Sequence, residues 1–94
     1  MDELLEALEK LYSIPGNSYT SEDGRAYFED NDVTDEVIGL CDEHLIADGG
    51  DCNWDNIEVL RRNGYSVFAG DEDSFGWLTG CIRKQDDERI LVYG

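Results

Sequence analysis
Cys41, His44, Cys52 and Cys81 are the soft metal ligands of this sequence, apart from a methionine at its start. Cys41 and His44 stand one helical turn apart, and Cys52 and Cys81 would complete the Cys3His set of a structural zinc site. Such sites usually bring their ligands as two close pairs, and only one close pair exists here. Cys41 falls on an apolar stripe with Val37 and Leu45, and Cys81 falls inside a strand-like run, so both read as small core residues. The segment Asp51-x-Asn53-x-Asp55 has the alternating oxygen ligands that open an EF-hand loop. Its sixth position is Asn56 where glycine is required and its twelfth is Arg62 where glutamate is required, which favours a helix N-cap. Asp71-Glu72-Asp73-Ser74 likewise reads as a solvated hairpin turn before it reads as a calcium site. No metal and no other cofactor is expected.

Nucleophilic catalysis has little to stand on. A Cys41–His44 pair would need an electropositive setting, and nearby carboxylates instead raise a thiol's pKa and make the thiolate scarcer. No glycine-rich phosphate loop, G-x-S-x-G or H-E-x-x-H occurs. The expectation is a protein that is not an enzyme.

The carboxylates themselves are the larger signal. The chain carries 23 Asp and Glu against 7 Lys and Arg, a formal charge of −16. Residues 1–60 hold 17 of the acids and only Lys10 and Arg25, a net of −15; residues 61–94 hold six acids and five bases, a net of −1. Such asymmetry points to an interaction face more strongly than net charge alone. Direct binding to nucleic acid or to an anionic membrane is disfavoured, since both draw on clustered Lys and Arg. At 40% hydrophobic and 11% aromatic residues the chain is nevertheless no disordered acidic tail.

The elements that must carry these charges follow from periodicity. Leu4, Leu5, Leu8, Leu11 and Tyr12 form one helical stripe, with Asp2 as N-cap and Pro15-Gly16 as stop. Thr34, followed by Asp35 and Glu36, starts a second helix that buries Val37, Ile38, Cys41 and Leu45 and ends at Asp48-Gly49-Gly50. A third, capped by Asp51 or Asn53, buries Trp54, Ile57 and Leu60 and closes at Asn63-Gly64. Between the first two, a short fourth helix over Glu22–Glu29 would bury Tyr27 or Phe28, although Gly24 weakens it. After Gly64 the pattern turns β-branched and aromatic in Tyr65–Ala69, Trp77–Arg83 and Arg89–Tyr93, joined by hairpin-sized connections. The expected fold is one α+β domain over residues 1–94, with N-terminal helices packed on a C-terminal three-stranded antiparallel meander. Phe75-Gly76-Trp77 would anchor a hairpin to its core.

No run approaches the ~18–20 apolar residues of a membrane span. Acids follow Met1 where a signal peptide carries positive charge, and the cysteine count is odd. The expected location is therefore the cytoplasm, with reduced thiols.

Rows of acids at helical spacing imitate the charge of a nucleic-acid backbone and would steer the chain to a basic channel. The expected function is a non-enzymatic inhibitor of a protein that handles DNA or RNA. Its contact set is Glu22, Asp23, Glu29, Asp30, Asp32, Asp35, Glu36, Asp42 and Glu43, with Tyr19 or Tyr27 as aromatic hot spots. In size and composition the chain is similar to small acidic α+β proteins among phage anti-defence proteins, anti-CRISPR types included, and among nuclease immunity proteins. The competing reading is an immunity-type interaction module that binds a partner unrelated to nucleic acid through Tyr65, Phe75, Trp77 and Tyr93. The plainest reading of all is a solvated surface that keeps a small protein soluble.

Overall fold
Alternating apolar residues build the sheet and helical stripes build its cover. In the computed structural model, residues 1–69 and 80–94 are described. In chain order they form α1 (Asp2–Tyr12), β1 (Tyr19–Thr20), β2 (Ala26–Tyr27), α2 (Asp32–Leu45), a 3-10 turn (Asp48–Gly50), α3 (Trp54–Arg62), β3 (Tyr65–Ala69), β4 (Gly80–Lys84) and β5 (Arg89–Tyr93). The five strands form a mixed sheet in the order β1-β2-β5-β4-β3. All neighbours are antiparallel except β2 and β5, which run parallel with Ala26 opposite Arg89 and Tyr27 opposite Ile90.

The three-stranded antiparallel meander is thus corrected to a five-stranded mixed sheet with three α-helices, within an α+β class. The short helix expected over Glu22–Glu29 is a β-hairpin instead. Its strands are only two residues each, too short to show a period. The local signal is Asp23-Gly24, a turn dipeptide flanked by aromatic residues. Gly24 sits at φ +81°, the left-handed conformation the turn requires, and its N–H donates to the Ser21 carbonyl at 3.0 Å. Two helix starts also move. The N-cap of α1 is Met1 in place of Asp2, and α2 begins at Asp32, capped by Asn31, whose side chain accepts the Thr34 N–H at 3.0 Å. Thr34 is inside the helix and buried.

The core joins Leu4, Leu8 and Leu11 of α1, Val37, Cys41 and Leu45 of α2, and Ile57 and Leu60 of α3 to Val67, Ile82 and Leu91 of the sheet. Register places Val67, Ile82 and Leu91 side by side on the covered face. Strand alternation puts Phe68, Cys81, Arg83 and Val92 on the opposite face. Trp54, expected in the core, is 53% exposed. It is the first residue of α3 and lies seven residues from Arg61, nearly the same helical direction, so the two share a face of the helix. The Arg61 guanidinium stands 6.0 Å from the Trp54 ring.

One polar clamp ties the ends of these elements together. Arg89 at the start of β5 donates to the carbonyls of Tyr12 and Ile14, both at 2.7 Å, just where α1 ends. Its Nε and Nη2 donate to Asp87 at 3.1 and 2.9 Å, and its guanidinium lies 4.8 Å from the Phe28 ring centre. The Asp87 carboxyl is held below its usual range mainly by the hydrogen bonds from Arg89. The clamp fixes Phe28, and with it the segment leading from β2 into α2.

Candidate acidic interface
The outward face of α2 is a row of carboxylates. Asp32, Asp35, Glu36, Asp42 and Glu43 are all exposed, while Thr34, Val37, Cys41 and Leu45 point into the core. The row extends about 16 Å along the helix axis, from Asp32 to Glu43. Gly39 lies within it, and a side chain there would meet nothing within 4 Å. Glu29 and Asp30, exposed in the segment after β2, continue the row beyond the helix N-terminus.

The two ends of α2 differ energetically. Acids in the first turn, Asp32 and Asp35, lie at the positive end of the helix dipole and stabilise it. Asp42 and Glu43 lie near the negative end, where each carboxylate opposes the dipole. Helix stability therefore accounts for the first pair and not for the second. Asp35 and Asp30 are close enough to hydrogen-bond through their carboxyls. That contact is the main reason the Asp35 pKa is raised, with the charges of Asp30 and Asp32 adding to it.

The remaining contact residues divide. Asp23 is engaged locally in the β1–β2 turn: its carboxylate accepts from the Ser21 hydroxyl and from the Arg25 N–H at 3.2 Å, and pairs with the Arg25 guanidinium at 3.3 Å. The Ser21 bond is the largest cause of its lowered pKa. Glu22 is exposed beside it. Tyr19, 51% exposed, stacks on Tyr27 with ring centres 5.6 Å apart and planes inclined by 25°. The stack borders a cavity of about 280 Å³ that Asp30 and Thr34 also line, so Tyr19 and Tyr27 join the N-terminal end of the acidic row.

Two acids outside the expected contact set belong to this surface. A groove between α1 and α2 is lined by Glu3 and Glu6 on one side and Glu36 on the other, with Lys10 also at its wall. Their three-residue spacing on α1 is visible in the sequence, but nothing there says that α1 and α2 lie side by side.

Cys41 is buried in the core and Cys81 is buried beneath the opposite face of the sheet; burial pushes the Cys41 thiol up, away from ionisation. Among the described residues, no three or more His, Cys, Asp or Glu are grouped so as to hold a metal ion. Asn53 caps α3 by accepting the Asn56 N–H at 3.3 Å. Of the aromatic patch in the competing reading, Tyr65 and Tyr93 are 7% and 3% exposed, so neither is offered to a partner. Phe75, Trp77 and the Asp71–Ser74 turn lie outside the described residues; Phe68 of β3 is exposed. Among the described residues, no helix is long and apolar enough to cross a membrane.

No protein-family model, no curated protein and no solved structure matches this chain.

Proposed function
We propose that this protein is a non-enzymatic inhibitor that presents the outer face of α2 as a substitute for a nucleic-acid backbone. Its target is a basic protein that handles DNA or RNA. The observation that carries the reading is the unbroken exposure of Asp32, Asp35, Glu36, Asp42 and Glu43 on one rigid helix. Glu3 and Glu6 of α1 widen the row across a shared groove. Asp42 and Glu43 support the same reading, because they stand where they weaken the helix that carries them. A surface kept acidic only for solubility has no need of charge at that end.

The charge acts mainly by steering and specificity. It accelerates encounter with a basic channel and disfavours acidic partners, while an aromatic contact from Tyr19 or Tyr27 supplies short-range affinity. The test is capture of partners on immobilised protein at low and high salt, with and without added duplex DNA or RNA. The expected result is retention of nucleic-acid-binding proteins that either high salt or the nucleic acid releases. The triple variant Glu36→Lys/Asp42→Lys/Glu43→Lys should lose that retention; unchanged binding would end the proposal.

A further inference from the structure
The cavity beside the tyrosine stack has the parts of a guanidinium site. Tyr19 and Tyr27 form its aromatic wall, Asp30, whose carboxyl also meets Asp35, is among its lining residues, and Ile38 and Ile90 line its apolar side. Thr34, 3% exposed, also lines it, and the Thr34 Oγ1 has no hydrogen-bond partner. A buried hydroxyl left unpaired costs free energy, so an N–H donor that reached it by a small shift of the cavity wall would be stabilised there.

The same molecule shows how such parts treat an arginine. The Arg89 guanidinium lies 4.8 Å from the Phe28 ring centre and 5.6 Å from that of Tyr12. It is bound by the Asp87 carboxylate and by two carbonyl oxygens. Two rings, an acidic residue and one hydroxyl oxygen come together at the Tyr19–Tyr27 cavity, and no Lys or Arg of the described residues lines it. Guanidinium is the cation this combination suits: it is planar, stacks on aromatic faces and forks onto a carboxylate, whereas an ammonium is compact and strongly hydrated.

We propose that this cavity is a socket for an arginine side chain of the partner, seated between the tyrosine stack, Asp30 and the Thr34 hydroxyl. The socket rests on the charge-substitute reading, since an arginine that would otherwise grip a phosphate is the side chain withdrawn. It gives the acidic row a fixed end point, where general attraction becomes one directed contact.

The probe is N-acetyl-arginine N-methylamide, titrated into the isotopically labelled full chain and followed by NMR, with the blocked lysine analogue as control. Saturable shifts are expected at Tyr19, Tyr27 and Thr34, with lysine at least about threefold weaker. Tyr19→Ala and Thr34→Val should each weaken the arginine probe by about threefold or more. Thr34→Val keeps the side-chain shape and removes only the unpaired hydroxyl, so it should not unfold the chain. Equal, unsaturable shifts spread along α2 for both probes would overturn the socket and leave the charge-substitute reading standing. Saturable arginine binding in a protein whose partner capture ignores nucleic acid would support the socket and end the broader reading.

Discussion
Reversing Asp42 and Glu43 to lysine should make this protein more stable while destroying its proposed interface. Both carboxylates sit near the last turn of α2, where unsatisfied carbonyls concentrate partial negative charge. An exposed charge there is worth about 0.3–1 kcal/mol at low ionic strength, with the sign set by the charge. Reversal removes an unfavourable term and adds a favourable one. The lower end of that range is appropriate for two exposed groups, which gives a gain of about 1–2 kcal/mol for Asp42→Lys/Glu43→Lys. In a domain of this size that is a rise in Tm of roughly 4–16 °C. The assay is urea and thermal unfolding at about 20 mM and 1 M salt; the Debye length falls to about 3 Å at the higher value, so most of the gain should vanish. Equal or lower stability at low salt would refute the assignment of these acids as opposed to the helix dipole. A variant that is more stable yet no longer binds would also exclude misfolding as the cause of lost binding.

Other expectations concern the scaffold that holds the face. Arg89→Met removes two hydrogen bonds to carbonyls, the Asp87 pair and the ring contacts, and should cost about 3 kcal/mol in urea unfolding. Asp87 is held below its ordinary pKa, so its contribution is present above about pH 4 and is lost as pH falls through the lower folded-state value. The stability gap between the native chain and Asp87→Asn should therefore close on acidification, and a gap that widens would contradict the clamp. Gly80→Ala would place a methyl group 2.8 Å from Tyr93 Cε1 and closer still to the ring's Cζ and hydroxyl. A loss of about 1–3 kcal/mol is expected, read as a lower urea midpoint. Cys41, wholly buried and with its thiol ionisation suppressed, should react with a thiol reagent only after unfolding, as site-specific mass spectrometry would show.

The sequence made the helices legible because their apolar stripes are long. Leu4, Leu8 and Leu11, and later Val37, Cys41 and Leu45, repeat over enough turns to fix both the element and its buried face. The outward position of Asp35, Glu36, Asp42 and Glu43 follows from the same repeat. The hairpin of β1 and β2 is hidden in the sequence because two-residue strands have no period, and Gly24 there reads as a weak point in a helix. The parallel seam between β2 and β5 joins residues more than sixty positions apart, a pairing no local pattern encodes. Trp54 misled for a different reason: a large aromatic at the first position of a helix has little of its own element to pack against. In the site, charge could be read from composition, but three features required the third dimension. These are the α1–α2 groove joining Glu3 and Glu6 to Glu36, the stack of Tyr19 on Tyr27, and the unpaired Thr34 hydroxyl.

The central claim is that α2 stands in for a nucleic-acid backbone, and competition measures it most directly. A captured partner is bound to the native protein and duplex DNA or RNA is titrated in, alongside the same titration for Glu36→Lys/Asp42→Lys/Glu43→Lys. The account expects the nucleic acid to displace the native protein stoichiometrically and the triple variant to bind too weakly to be displaced. A complex that forms equally well with both proteins and survives saturating nucleic acid would contradict it.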